Sequence, residues 1–304
     1  SNLLKLSAGI AAAVVLLSIL LSRMLTRKIS TLLTAIRKVR AGAYEHRTHI
    51  SGRDEIAQIG EEFNSLTDRL QTTETLRRRF VSDASHELKT PLAAIRLLTD
   101  SILQTDQMDM ETVRDFVTDI GSEAERLSRI TEDLLRLTRL DSDLLDAPET
   151  VEVAPVLEQV MRMMSLLAQE KGTELTYRME ENCRVSATKG EVHQVIYNLT
   201  DNAVKYSGKN GKVRVELRHE DHDVVLTVAD NGPGIPEEDL PKVFERFYRV
   251  DKARSRAAGG TGLGLSIVQD TVKKRGGTVS AANRPNGGAV FTVRWPEAEG
   301  GDRS

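Results

Sequence analysis

The chain has 304 residues, of which 29% are charged and 39% hydrophobic, and its formal net charge is −3. This length allows about two folded domains, and the composition is typical of globular proteins. The small negative charge offers no electrostatic attraction for nucleic acid, so we expect no nucleic-acid partner. The one cysteine, Cys183, excludes an internal disulfide, is typical of a reducing compartment and is expected to be a partly buried small residue.

The first predicted element is a transmembrane helix over residues 3–25. Leu3 to Ser22 is an apolar run of twenty residues with a single charge, Lys5, near its outer end, and about 20 such residues span a bilayer as a helix. A core helix would be shorter, and no small-residue cleavage site for a signal peptide precedes the basic cluster. That cluster comprises Arg23, Arg27, Lys28, Arg37, Lys38 and Arg40, which by the positive-inside rule places the following chain in the cytoplasm.

Residues 26–72 are predicted to form two short amphipathic helices joined by a connector. The apolar stripes consist of Ile29, Leu32, Leu33, Ile36 and Val39 in the first helix and Ile56, Ile59, Phe63, Leu66 and Leu70 in the second. Two such helices cannot bury their stripes alone, which implies dimerisation. The stretch resembles a HAMP linker domain at Asp54-Glu55 and Phe63-Asn64, with Lys28 where that family usually has proline. A generic coiled-coil linker is the alternative, and the glycine-containing turn before Asp54 disfavours it.

The next predicted helix carries the histidine that the pattern singles out. Its apolar residues alternate steps of three and four, the a/d pattern of a packed helix pair: Val81, Ala84, Leu88, Pro91, Ile95, Leu98 and Ile102. If Val81 occupies position a, His86 falls on position f and faces solvent, and Thr90 at i+4 shares its face. A core histidine would sit at a or d. His86, with its acidic neighbour Glu87, is therefore a candidate for chemistry.

Residues 73–145 are predicted to form a helical hairpin. The histidine helix ends near a polar turn at residues 104–107, and Asp109 is placed to cap a second helix. The apolar residues of that helix are Val113, Val117, Ile120, Ala124, Leu127, Ile130, Leu134 and Leu137. Two antiparallel helices form half of a four-helix bundle, so we predict that a second copy of the chain completes it as a homodimer.

After a polar linker at residues 141–148, residues 150–296 are predicted to form an α/β sandwich with a mixed, largely antiparallel sheet. Strands are predicted at residues 151–153, 174–179, 212–219, 224–230, 278–282 and 289–295, and helices at 155–170, 191–206 and 263–275. No phosphate-binding loop of the Walker type is present. Residues 297–304 form a tail. The predicted fold class is thus multidomain, with a transmembrane helix, an all-α coiled-coil and four-helix-bundle dimerisation region, and an α/β sandwich.

The first chemical cluster of the α/β domain lies on one helix. Asn198, Asn202 and Lys205 are spaced i, i+4 and i+7 and share a helix face. Amide oxygens suit magnesium, and lysine supplies a compact positive charge for phosphate oxygens. A polar helix face in solvent is an equally good interpretation of these residues alone.

The second cluster, residues 230–236, directly follows a predicted strand. Asp230 at the strand end is placed to accept a hydrogen bond from an amino group such as that of adenine, and Gly232 and Gly234 let the backbone approach a ligand closely. The alternative is an ordinary turn, because asparagine, glycine and proline in this order are strong turn formers.

The third cluster, residues 259–265, opens a helix. Glycine-freed backbone amides together with a helix N-terminus form an anion site. The preceding segment, residues 237–258, has little periodicity and is predicted to be a mobile lid. Its apolar anchors are Phe244, Phe247 and Tyr248, and its basic residues are Arg246, Arg249, Lys252, Arg254 and Arg256. Core packing is the alternative role for the aromatic residues.

The order and spacing of these clusters resemble a bacterial sensor histidine kinase of a two-component system, over residues 23–296. The matching motifs are a histidine box at 85–91, an asparagine box at 198–207, glycine boxes at 230–234, 260–264 and 287–288, and a phenylalanine box at 244–248. The C-terminal domain is similar to the ATP-binding fold shared with gyrase, the large heat-shock chaperone ATPase and mismatch-repair ATPases. His86 distinguishes the chain from those proteins, because that superfamily lacks the histidine box.

The resemblance implies a role for each motif residue. His86 would attack the γ-phosphate of ATP, Glu87 would accept its proton or fix its tautomer, and Thr90 would position water for a phosphatase reaction. The implied nucleotide-binding residues are Asn198, Asn202, Lys205, Tyr206, Asp230, Gly232, Gly234, Arg249, Gly260, Thr261, Gly262, Leu263 and Gly264. Magnesium would be held by Asn202 and Asn198. The implied partner is the receiver domain of a cognate response regulator, and the implied location is the bacterial inner membrane with the kinase domains in the cytoplasm.

Two other functions fit parts of the pattern. One is a non-catalytic signalling scaffold that binds nucleotide without phosphoryl transfer, and the other is an ATPase whose helices serve only for interaction. The presence of every expected chemical group disfavours the scaffold. The outward position of His86, beside Glu87 and Thr90, disfavours the ATPase.

Overall fold

The computed structural model describes residues 2–105, 108–140, 147–208, 210–251 and 260–298. The chain divides into two compact units, Ser1–Ser82 and Asp83–Ser304. The predicted turn at 106–107, the linker core at 141–146 and most of the tail, 299–304, lie outside the described residues.

The N-terminal unit begins with one long helix, α1, Asn2–Arg40. The stretch Lys5–Arg40 is long and apolar enough to cross a membrane, with a mean hydropathy of 2.2 in its most apolar window, and none of that window is buried. The predicted transmembrane helix and the first linker helix are therefore parts of one continuous helix. It ends before the predicted break, where Gly42 has a φ of +94°.

The connector after α1 is held to the second helix by side-chain amides and charges. The Asn64 amide bonds the backbone of Thr48 twice, accepting from its N–H at 2.9 Å and donating to its carbonyl at 2.9 Å. Asp54 accepts from the N–H of Ala57 at 3.0 Å and so caps helix α2, Glu55–Gln104. Lys28 forms an ion pair with Asp54, with 2.6 Å between Nζ and Oδ2, and the hydrogen bond from Lys28 lowers the pKa of the Asp54 carboxyl.

The C-terminal unit begins within α2, which continues through Pro91 without interruption. Asp109 accepts from the N–H of Thr112 at 2.8 Å and caps helix α3, Met110–Leu140, as predicted. Both helices of the predicted hairpin are therefore present, α2 ending at Gln104 and α3 starting at Met110. Several large apolar side chains of the two helices are exposed in the single chain, namely Val81, Leu92, Leu97, Leu103, Val117 and Leu135.

The α/β domain contains seven strands and three helices within the described residues. They are β1 Glu149–Glu152, α4 Val153–Glu170, β2 Glu174–Met179, β3 Arg184–Ala187, α5 Lys189–Tyr206, β4 Lys212–Glu220, β5 Asp223–Asp230, α6 Gly264–Lys274, β6 Thr278–Asn283 and β7 Ala289–Pro296. The main sheet has the order β2-β4-β5-β7-β6. Only β2 and β4 pair in parallel, and the other pairs are antiparallel, as predicted.

A second, two-stranded sheet corrects the prediction at the start of this domain. β1 pairs antiparallel with β3, which the sequence did not predict because it is short and has no apolar run. Val153, which we predicted as the end of a strand, is instead the first residue of α4. Its N–H donates to the carbonyl of Cys183 at 2.8 Å, so this contact ties the helix start to the chain that enters β3.

The core lies between one face of the main sheet and the three helices. Alternate residues of β5 and β7 point into it, including Leu226 and Phe291, and they meet apolar residues of the helices such as Leu157 and Leu199. Cys183 belongs to this core and is fully buried, which is deeper than the partial burial that the sequence analysis predicted. Burial raises the pKa of its thiol to about 11.

Candidate active site

One cavity of about 790 Å³ brings together most of the predicted nucleotide-binding residues. This volume is in the range of small-molecule sites in proteins. The predicted residues that line it are Asn198, Asn202, Lys205, Tyr206, Asp230, Gly234, Arg249, Gly260, Thr261, Gly262 and Gly264. Helix α3 contributes to the same wall with Arg129, Glu132, Asp133 and Arg136, none of which the sequence pattern indicated.

Helix α5 presents its polar face to the cavity because its other face is buried. The helix begins with a capping box, in which Thr188 accepts from the N–H of Glu191 at 3.2 Å and Glu191 accepts from the N–H of Thr188 at 2.8 Å. Val195, Ile196 and Leu199 are fully buried. With this rotation, the predicted stripe of amides and lysine faces the cavity.

The two asparagines of that stripe differ in their contacts. Asn198 accepts from Gln194 at 2.9 Å and donates to the carbonyl of Gly264 at 3.1 Å, which ties α5 to the start of α6. The Asn202 side chain makes no hydrogen bond to the residues that the structure describes, and its amide oxygen is therefore open to a ligand. Lys205 pairs with Asp201 at 2.6 Å, so this acidic residue also lies at the cavity wall.

Asp230 is buried at the end of β5, with 4% of its surface exposed. Its Oδ1 accepts from the N–H of Gly232 at 2.8 Å and from that of Ala289 at 3.2 Å. Its Oδ2 receives no hydrogen bond from the described part of the chain, and desolvation raises the pKa of the carboxyl. Gly232 itself does not line the cavity. A Cβ there would lie 2.4 Å from the carbonyl oxygen of Tyr206, so only glycine fits between α5 and this turn.

The glycine loop before α6 is closely packed against the lid segment. Gly262 has a φ of +74°, and a Cβ there would lie 2.9 Å from the carbonyl carbon of Phe247. The Phe247 N–H donates to the Gly262 carbonyl at 2.9 Å. Leu263 is fully buried and anchors the loop, and among the described residues no side chain caps the start of α6. The first amides of this helix thus have no side-chain cap, which is the arrangement that an anion site at a helix N-terminus requires.

The described part of the lid segment consists of turns rather than regular structure. Phe244 packs edge-on against Phe291 with ring centroids 6.2 Å apart, which confirms core packing for this aromatic residue. Tyr248 donates to Asp239 at 2.6 Å, and this bond raises the pKa of the tyrosine to about 12. The remaining predicted basic residues, Lys252, Arg254 and Arg256, lie outside the described residues.

His86 is exposed on α2, as its heptad position predicted, and it does not line the cavity. Thr90 is exposed on the same face and donates its hydroxyl to the carbonyl of His86 at 3.2 Å. Glu87 has a different environment, because its Oε2 accepts from Arg249 at 2.9 Å and from Arg126 at 3.1 Å. Arg249 lines the cavity and therefore links it directly to the neighbour of the histidine.

A second link joins the helical hairpin to the glycine loop. The Thr261 hydroxyl donates to Asp133 of α3 at 2.8 Å, and Arg249 donates to the Thr261 carbonyl at 2.8 Å. Desolvation raises the pKa of Asp133. Nothing in the helical periodicity of α3 singles out Asp133 or Arg126, whereas the i, i+4 spacing of Asp201 and Lys205 is visible in the sequence.

Comparison with known proteins identifies the family. The HAMP domain model matches residues 20–72, the His Kinase A (phospho-acceptor) domain model residues 76–143, and the model of the Histidine kinase-, DNA gyrase B-, and HSP90-like ATPase residues 187–299. AfsQ2 of Streptomyces coelicolor, a signal transduction histidine-protein kinase, is 35% identical over 97% of this chain. The chain belongs to the two-component sensor histidine kinases.

The sensor kinase relatives are longer than this chain. The matched region spans 58% of AfsQ2, and it spans 60% of BaeS of Escherichia coli, which is 31% identical over 92% of this chain. Among solved structures, ShkA in complex with AMPPNP matches 74% of this chain and 46% of its own, with a TM-score of 0.53 and 29% identity.

Histidine kinase ThkA in complex with the response regulator TrrA matches 82% of this chain and 69% of its own, with a TM-score of 0.61. At 24% identity this second structure supports the fold alone. The ATPase-type domain implies the use of ATP, and the apolar helix with the HAMP match indicates a membrane-anchored kinase.

Proposed function

We propose that this chain transfers the γ-phosphoryl group of ATP to His86 and then to an aspartate of a response regulator. The observation that carries this proposal is Arg249, which lines the cavity and donates to Glu87, the residue next to His86. One guanidinium thus joins the nucleotide site to the phospho-acceptor helix. The complex of ShkA with a nucleotide analogue supports the use of ATP in the first half of the reaction.

The domains proposed for this function are the transmembrane helix at 3–25, the HAMP domain at 26–72, the phospho-acceptor hairpin at 73–145, the ATP-binding domain at 150–296 and a tail at 297–304. A homodimer would cover the apolar side chains that α2 and α3 expose, since two hairpins complete a four-helix bundle. The basic cluster after the apolar helix supports an inner-membrane location with the kinase domains in the cytoplasm.

The cavity suits ATP at both ends of the molecule. Asp230 offers Oδ2 to the adenine amino group, and Tyr206 and Gly234 line the wall on that side. At the phosphate end, Lys205 supplies charge, and the chain from Gly260 to Gly264 supplies backbone amides before α6. Gly232 and Leu263 act from outside the cavity, because the first keeps the turn close to α5 and the second anchors the loop.

Magnesium fits the residues of α5 best at Asn202. Its amide makes no hydrogen bond within the described chain, whereas the Asn198 oxygen already accepts from Gln194. We therefore assign Asn202 as the main protein ligand and Asn198 as a secondary one, with Asp201 on the same wall. When bound, magnesium would neutralise phosphate charge during the transfer.

At the phospho-acceptor, a neutral imidazole nitrogen of His86 forms a bond to the γ-phosphorus while the bond from phosphorus to the β,γ-bridging oxygen breaks and ADP leaves. Glu87 accepts the imidazole proton, and Arg249 offsets charge on the transferred group. The phosphohistidine then passes its phosphoryl group to the regulator's aspartate.

The test is labelling of the full chain, in membranes or detergent, with γ-labelled ATP and magnesium beside a His86→Gln variant. We expect label that is acid-labile, base-stable and absent from the variant. A wild-type chain that binds nucleotide but remains unlabelled would instead support the non-catalytic scaffold. Label that persists in the variant would place the acceptor elsewhere.

Thr90 supports a second activity, removal of the phosphoryl group from the regulator. Its hydroxyl lies one helical turn after His86 on the same exposed face. From there it can hold a water molecule against an aspartyl phosphate that docks at His86. This activity needs neither the cavity nor transfer to His86, so it is separable from the kinase reaction.

A further inference from the structure

Glu87 is held by two buried arginines that come from different parts of the fold. Arg126 of α3 has 8% of its side chain exposed and donates to Oε2 at 3.1 Å. Arg249 has 3% of its side chain exposed and donates to the same oxygen at 2.9 Å. Arg126 also faces Glu123 of its own helix at 3.6 Å.

The two arginines differ in the partners that they could bind instead of Glu87. Arg249 lines the cavity and donates to the carbonyl of Thr261 in the glycine loop, so a bound phosphate competes for it directly. Arg126 does not line the cavity, and its other acidic partner among the described residues is Glu123. A nucleotide can therefore draw Arg249 away from Glu87, whereas Arg126 stays in place.

We infer that Arg126 is the positioning residue for Glu87, and this inference rests on the proposed kinase function. Arg126 holds the carboxylate beside His86 while Arg249 moves between Glu87 and the phosphates. As the imidazole nitrogen bonds to the γ-phosphorus and ADP departs, the imidazole proton passes to Glu87. Because both arginines donate to Oε2, the departure of Arg249 frees a position on that oxygen for the imidazole proton.

The hydrogen bonding of the cluster argues against a purely stabilising role. The Nε–H groups of Arg126 and Arg249 are both buried without a hydrogen-bond partner in the described chain. Buried polar groups are nearly always paired where stability alone is served. Two arginines that each keep an unpaired buried N–H group, next to the phospho-acceptor, are better explained if one of them, Arg249, exchanges partners during the reaction.

The experiment measures initial rates of His86 labelling by the full chain over a range of ATP concentrations. The variants are Arg126→Ala, Arg126→Met, which keeps an apolar stem, Arg126→Lys, which keeps the charge, and Glu87→Gln. Arg114→Ala is the matched control, since Arg114 is an exposed arginine of the same helix. Thermal melting and binding of a fluorescent ATP analogue report folding and nucleotide affinity.

We expect the Ala and Met variants to lower kcat about tenfold or more with KM for ATP changed less than about twofold, because Arg126 acts only on the chemical step. The Lys variant recovers part of the rate, and Arg114→Ala matches the wild type. Adding Arg126→Met to Glu87→Gln lowers the rate less than about twofold further, because the partner is already lost.

Three results overturn the inference: a wild-type rate in the Ala and Met variants, a rise in KM with kcat unchanged, or an equal fall of the rate in the Glu87→Gln background. If the Arg126→Ala variant does not fold, the rates of the Met and Lys variants test the inference instead. Failure of the proposed function is distinct, because it shows as a wild-type chain without label on His86.

Discussion

Replacing Asp230 by asparagine should weaken the binding of adenine without disturbing the fold around residue 230. The asparagine oxygen can still accept from the N–H groups of Gly232 and Ala289, which now bond Oδ1 at 2.8 and 3.2 Å. At the other position, the carboxylate oxygen that we propose accepts from the adenine amino group becomes an amide nitrogen that donates. Two donors then face each other, so affinity for ATP falls while the turn keeps its contacts.

The magnitude follows from one hydrogen bond to a charged group. Such a bond contributes about 1.5–3 kcal/mol, which corresponds to roughly 10- to 150-fold in Kd. Isothermal titration with ATP and with an analogue that lacks the 6-amino group measures it. The wild type should prefer ATP by this factor, and the Asp230→Asn variant should lose the preference. Asp223→Asn, at the opposite end of β5, is the control.

The same substitution, which weakens ATP binding, should maintain or raise the stability of the folded chain. Burial raises the pKa of Asp230 in the folded chain, so the folded state binds this proton more tightly than the unfolded state. Stability therefore falls as pH rises from the ordinary carboxyl range through the raised pKa, and Asp230→Asn removes that loss. The variant should melt at an equal or higher temperature at neutral pH. A wild type without preference for ATP over the analogue, or a variant that retains it, would refute the assignment of Asp230.

Three other substitutions or probes test separate features. Thr90→Ala should abolish dephosphorylation of the regulator and leave labelling of His86 within about twofold of the wild type; loss of both activities would contradict a separate role. Gly232→Ala places a Cβ 2.4 Å from the Tyr206 carbonyl oxygen, so we expect a loss of roughly 1–3 kcal/mol in the free energy of unfolding, measured by denaturant titration. Cys183, with a thiol pKa of about 11, should resist a thiol reagent at pH 8 until the chain is unfolded, and rapid labelling of the folded protein would argue against its burial.

Local periodicity was sufficient for the helices, most strands and the exposure of His86. The spacing of apolar residues in α2 predicted which side of the helix faces solvent, and Asp109 predicted the start of α3. The amide stripe of α5 was also predictable, because it depends only on residues within one helix. The strand Arg184–Ala187 was missed because its pairing with β1 is a tertiary contact between two short segments.

The sequence by itself determined the family, the order of the domains and the chemical groups at each motif, because those depend on residue type and spacing along the chain. Only the tertiary structure decided which of these groups meet. Arg126 and Asp133 lie on α3 among ordinary helical residues, and they become relevant because folding brings them to Glu87 and Thr261. Glu87 likewise meets Arg249, which lies 162 positions further along the chain. Contacts between residues so far apart depend on how the helices and the sheet pack, and the spacing of residues along the chain does not predict that packing.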